Sequence, residues 1–193
     1  MARVAGIFNE AKGASVKHRL ILFMVVVMFV LTLPALASHQ DVSDGNDVDG
    51  RLDVRNVEME EGPPRKWSIT TYKGYKPEEI FDKGYMLVYF DIRGDERFDY
   101  YLLLRPVWDE IRGNLWKDYK KANDEIIGHS RVRKPNNRTI TATVPFKKMK
   151  IPNNAIDYRW HVRALFAGPN CRRVCIDRAP DVGSVTELLV PAP

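Results

Sequence analysis

The sequence predicts an all-β protein, an antiparallel β-sandwich of jelly-roll or immunoglobulin-like type with about eight or nine strands, after an N-terminal export signal. Three observations carry that reading. Beyond residue 50 apolar residues mostly alternate with polar ones, the period of a half-buried strand. The alternating runs are short and separated by Gly, Pro, Asn and Asp clusters that make turns. No long stretch of this region carries the three-to-four-residue apolar spacing of an amphipathic helix.

At the N-terminus, Lys12, Lys17 and Arg19 precede a 14-residue apolar run over residues 20–33, followed by Pro34-Ala35-Leu36-Ala37-Ser38. A basic start, a short apolar core and an Ala-x-Ala pattern match a secretory signal peptide over residues 1–37. The run falls short of the about 20 apolar residues of a membrane span, so no stable span is expected after cleavage. An uncleaved signal anchor is the alternative. Residues 38–50 have almost no apolar content and read as a flexible acidic leader. Their Asp, Asn and Gly density suggests calcium, but counting from Gly50 as the sixth position of an EF-hand loop puts Asn56 where Glu is required. Residues 51–193 form the sandwich domain.

Leu52, Val54 and the stretch to Met59 give the first expected strand, and residues 67–72 the second. Residues 74–84 connect, with one helical turn at Pro77–Ile80. Residues 85–92 and 98–104 are β-branched or aromatic runs around Arg-Gly-Asp-Glu, a hairpin signal. A second hairpin is expected from residues 107–111 and 115–119, turning at Gly113-Asn114. Residues 126–133, 139–146 and 157–166 supply further strands, with turns at Pro135-Asn-Asn and Pro152-Asn-Asn. Period two sends Tyr158, Trp160, Val162, Ala164 and Phe166 inward and leaves Arg159, His161 and Arg163 on a wet face. There the two arginines disfavour protonation of His161.

Composition narrows the function. The formal net charge of +5 and the sequence pI near 9.2 invite a nucleic-acid reading. Three of those charges belong to residues 1–37, however, and the remainder divides into an acidic stretch over 38–62 and a basic body over 63–193. A weak overall excess in an exported chain argues against nucleic acid and leaves anionic cell-wall polymers or acidic glycans as partners for the basic body. Cys171 and Cys175 are the only cysteines, and an even count in an exported protein favours a disulfide.

Three constellations could carry chemistry. Asp91, Asp95 and Asp99, spaced by four around a tight turn, could converge on calcium, or Arg93 and Arg97 between them could neutralise them. The embedded Arg93-Gly94-Asp95 is explained by the turn alone. A turn at Gly113-Asn114 would pair Trp108 with Tyr119 and Glu110 with Lys117, either as a sugar-stacking platform or as a cap on the core. A basic set, Lys117, Lys120, Lys121, Arg131, Arg133, Lys134, Lys147, Lys148 and Lys150, could form a binding stripe or protect edge strands. No Gly-x-Ser-x-Gly elbow, His-Glu-x-x-His or phosphate-binding loop is present, so no catalytic residue is assigned.

The segments Asp91-Ile-Arg-Gly-Asp-Glu-Arg-Phe-Asp-Tyr100 and Cys171-x-x-x-Cys175-Ile-Asp-Arg-Ala-Pro180-Asp-x-Gly183 resemble the signatures of a group of uncharacterised secreted bacterial β-sandwich domains, found notably in actinobacteria. The layout over residues 50–190 is more distantly similar to the DOMON and family 9 carbohydrate-binding module group. That resemblance implies structural calcium, with Asp91, Asp95 and Asp99 as ligands, and sugar-binding aromatics. The heme ligands of cytochrome-type DOMON domains have no counterpart. The expected function is that of a secreted, non-catalytic module binding glycan or cell-wall polymer. The alternatives are a secreted hydrolase with a carboxylate pair of no fixed spacing, and a purely structural envelope protein.

Overall fold

The computed structural model describes residues 39–62, 64–151 and 157–188; the expected signal segment and the Pro152-Asn-Asn turn lie outside these described residues. The alternating runs form two antiparallel sheets packed as a sandwich. One has five strands in the order β1 (His39–Ser43), β2 (Val54–Glu60), β3 (Lys66–Thr71), β9 (Thr139–Thr143) and β8 (Val132–Arg133). The other has seven: β11 (Cys175–Ala179), β10 (Asp157–Phe166), β4 (Gly84–Asp91), β5 (Tyr100–Val107), β6 (Glu110–Lys117) and β7 (Glu125–Ser130), with β12 (Val185–Leu188) also pairing β10. A single helical turn, α1 (Pro77–Ile80), lies where the Pro-Glu-Glu pattern predicts it. Among the described residues no helix is long and apolar enough to cross a membrane.

Inward-facing alternate residues make the core. Val57, Met59, Trp67 and Ile69 of one sheet meet Val88, Phe90, Leu102, Leu115, Trp160 and Val162 of the other, all fully buried. Trp67 bridges the sheets: its ring stands edge-on to Phe90 at 5.3 Å and to Trp160 at 6.1 Å, and stacks on Phe146 at 5.9 Å. Such offset and edge-to-face pairs match negative ring faces to positive ring edges.

Three expectations are corrected here. The acidic leader is not a free tail, because residues 39–43 pair with β2 in the register His39↔Glu60 to Ser43↔Asn56. The second hairpin is displaced: β5 and β6 turn at Trp108-Asp109, with Val107 opposite Glu110 and Tyr100 opposite Lys117. Gly113 lies inside β6, where a Cβ would stand 2.7 Å from Ser130 Cβ and 2.8 Å from Val132 Cγ2. It is there for close approach of the neighbouring strands, which in the sequence reads like a turn signal. Finally, residues 126–133 do not form one strand; the chain leaves β7 and enters β8 in the opposite sheet. Cys171 and Cys175 form the expected disulfide, which lies against Gly50 of the leader.

Candidate functional site

The displaced turn separates the predicted aromatic pair. Trp108 sits at the β5–β6 tip, 74% exposed, with its ring stacked on Phe81 at 5.4 Å. Tyr119 follows the far end of β6, where Lys117 Nζ lies 4.4 Å from the centre of its ring and its hydroxyl donates to Glu125. Glu110 does not reach Lys117 and instead accepts from Arg112 Nε at 2.6 Å. Trp108 and Glu110 are therefore at one end of the hairpin and Lys117 and Tyr119 at the other.

Lys117 and Tyr119 line an open groove of about 550 Å³, together with Lys120, Lys121, Lys150 and Arg93. Its floor is Ile92 and the buried Tyr100, whose hydroxyl accepts from the Lys150 backbone N–H at 3.0 Å. The groove thus draws cations from three separate segments: the end of β6 and its following loop, the loop after β4, and the loop before β10. Arg93 is already paired with Asp99, whereas Lys120 and Lys121 are exposed. The other carboxylate lining the groove, Asp118, is exposed, and its pKa is raised from the ordinary value by partial desolvation and by neighbouring Asp124 and Asp99. A concave surface lined by four lysines favours anionic ligands.

Beside the groove, the outer face of the seven-stranded sheet carries an in-register row, His161–Tyr89–Tyr101–Trp116–Ile126, one residue from each of five adjacent strands. Tyr89 stacks on His161 at 5.0 Å, and Tyr101 on Trp116 at 6.1 Å. The row joins the groove through Asp124, which accepts from the Tyr101 hydroxyl at 2.8 Å and from the Tyr119 backbone N–H at 3.2 Å. Outward parity is visible in the sequence, but the row depends on strand order and register.

His161 is corrected from a wet position to a buried one, 2% exposed, with Phe98 folded against it at 4.5 Å. Burial first, then Arg178 and Arg163, push its pKa down to about 3, so it is neutral at physiological pH.

The three aspartates expected to ligate calcium serve the hairpin loop instead. Asp91 is buried; its Oδ1 accepts from the backbone N–H groups of Arg93 and Gly94 at 3.1 and 2.7 Å, and its Oδ2 from Glu96 at 2.9 Å. Asp99 accepts from the Ile92 N–H at 3.0 Å and pairs with Arg93, while Asp95 accepts from the Arg97 N–H at 3.2 Å. Arg93 neutralises Asp99 alone; Asp91 and Asp95 are held by backbone N–H donors, and Arg97 contributes only its backbone N–H. Asp91→Ala is expected to lose about 2–3 kcal/mol of unfolding free energy, because it removes one charged acceptor from three N–H groups. Urea unfolding checks this; an unchanged midpoint would contradict the role.

A second set of carboxylates, less completely satisfied, converges elsewhere. Oxygens of Asp47, Asp53 and Asp177 lie within 4.8 Å of one another, as do those of Asp44, Asp177 and Asp181. Asp53 is fully buried, and neither of its carboxylate oxygens has a hydrogen-bond partner; Asp44 Oδ2 is likewise unpartnered. Asp177 accepts from the backbone N–H groups of Val54 at 2.5 Å and of Arg178 at 2.6 Å. Burial, then Asp177 and Asp181, lift the Asp44 pKa to about 7; burial, then Asp177 and Asp47, lift that of Asp53 to about 6.

Comparisons with protein-family models, with curated proteins and with solved structures returned no match for this chain.

Proposed function

We propose that this protein is an exported, non-catalytic β-sandwich module that binds an anionic glycan or cell-wall polymer in the lysine groove. The observation that carries the reading is the gathering of Lys117, Lys120, Lys121 and Lys150 around Tyr119 in one concavity. Ammonium groups there would meet carboxylate or phosphate groups of the polymer, and Tyr119 and the neighbouring aromatic row would offer ring faces to sugars. The disulfide and the export signal read in residues 1–37 support action outside the reducing cytosol. Trp108, which stands at the other end of the hairpin, has no part in this groove.

The test is affinity electrophoresis and calorimetry against polygalacturonate and neutral dextran. Polygalacturonate is expected to bind and dextran not, with affinity falling steeply from 50 to 300 mM salt as charge is screened. Replacing both Lys120 and Lys121 by alanine is expected to weaken binding about tenfold through loss of two charges, whereas Trp108→Ala leaves it unchanged. Equal binding of acidic and neutral polymers, or indifference to the lysine substitutions, would overturn the proposal. One observation favours the hydrolase reading instead: two carboxylates, Asp118 and Asp99, line the same groove, as a glycosidase pair would. Turnover of polygalacturonate that disappears in Asp118→Asn would replace the binding-module reading.

A further inference from the structure

We propose that Asp47, Asp53 and Asp177 bind a calcium ion that latches the acidic leader onto the sandwich, with Asp44 and Asp181 joined to the same centre through Asp177. The inference is independent of the lysine groove. Asp53 carries it. Its side chain is fully buried, both oxygens lack a donor, and an oxygen lies within 4.8 Å of ligand atoms on Asp47 and Asp177. A carboxylate in that position must be protonated, be paired with a cation, or bear a large desolvation penalty. Among the described residues none of the five aspartates takes part in an ion pair. Lys73, whose charge opposes the upward shift at Asp53, directs its ammonium to the Asp49 carbonyl at 2.8 Å.

The donor chemistry selects the ion. Every candidate ligand is a carboxylate oxygen, with no His or Cys in either grouping, which suits a hard cation and disfavours zinc or copper. Calcium–oxygen distances of about 2.3–2.6 Å place ligands across one ion up to roughly 5 Å apart, the spacing seen here. Calcium also tolerates the irregular geometry of ligands from unrelated segments, which magnesium does not.

The ligands are far apart in sequence. Asp44 and Asp47 belong to the leader, Asp53 immediately precedes β2, Asp177 lies in β11 and Asp181 in the turn after it. One ion would tie the entry of the domain to its penultimate strand. The leader is already guided there by Tyr72, whose hydroxyl donates to the Asp44 carbonyl at 2.7 Å, and by Gly50 lying against Cys175.

The experiment is thermal unfolding and equilibrium dialysis of the full exported domain with calcium alone, magnesium alone, or EDTA. Calcium at 2 mM is expected to raise the melting temperature by about 5–10 °C over EDTA, and to protect residues 39–50 from protease. Asp53→Asn should abolish the calcium response while melting at or above the wild type in EDTA, because the unpaired buried charge is gone. Asp47→Asn changes an exposed side chain, so folding is preserved, and it should weaken calcium binding at least tenfold. Equal melting in calcium and EDTA, an equal response to magnesium, or undiminished calcium binding in Asp47→Asn would each overturn the assignment.

Discussion

Replacing Trp67 by alanine is expected to lower the unfolding free energy by about 4 kcal/mol, near the top of the range for large-to-small core changes. Trp67 is fully buried and touches rings from three other elements, Phe90 of β4, Phe146 beyond β9 and Trp160 of β10. Its removal leaves a cavity at the meeting point of two sheets. The lost transfer free energy of the indole and the cavity left behind both contribute to the cost. Urea unfolding at neutral pH measures the effect. Trp67→Phe should recover roughly half of the loss, because one ring still bridges the sheets. If Trp67→Ala changed stability by less than 1 kcal/mol, the inter-sheet packing described above would be wrong.

The second large effect is a dependence on pH carried by His161. Its pKa is about 3 in the folded chain, against about 6.5 when unfolded. Between those values the unfolded state binds more protons, so stability rises with pH and is lost on acidification. Going from pH 7.5 to 4.5, His161 should remove about 3 kcal/mol. The groups facing it are Arg178 and Arg163, which oppose protonation, the rings of Tyr89 and Phe98, and Ser184, whose hydroxyl stands 3.5 Å from Nδ1. Asp44 and Asp53 act in the opposite sense. Their raised pKa values mean that the folded state holds extra protons between about pH 4 and 7, favouring acid. Comparing wild type with His161→Phe cancels the aspartate contribution: the wild type should lose about 3 kcal/mol more than the variant over that interval. Parallel stability curves would show that the imidazole is not sheltered.

Strand type and facing were legible in local sequence because period two needs no knowledge of partners. The inward set Tyr158, Trp160, Val162, Ala164 and Phe166 is buried as alternation requires. The disulfide followed from an even cysteine count in a chain whose N-terminal residues read as an export signal. Register was less accessible. Gly113-Asn114 has turn chemistry, yet the turn falls at Trp108-Asp109, which pairs Leu102 with Leu115 and Leu104 with Gly113 in the interior. Apolar burial along a whole strand outweighs the preference of two turn residues, and the glycine was needed for the approach of Ser130 and Val132. Consequently Trp108 and Tyr119, neighbours under the sequence reading, stand at opposite ends of one hairpin.

The charged residues show the same division more sharply. Sequence alone identified an acidic leader, an acidic hairpin and a basic body. It could not say which carboxylates would find donors. Asp91 satisfies its oxygens within five residues of itself, a local event. Asp53 instead faces Asp177, more than a hundred positions away, and burial removes the water that would have solvated both. By itself, then, the sequence determined the β class, the inward faces, the disulfide and the separation of charge along the chain, all set by short-range pattern. Only the tertiary structure decided which lysines share a groove, which histidine is dry and which aspartates meet, because desolvation and Coulomb interaction depend on distance through space.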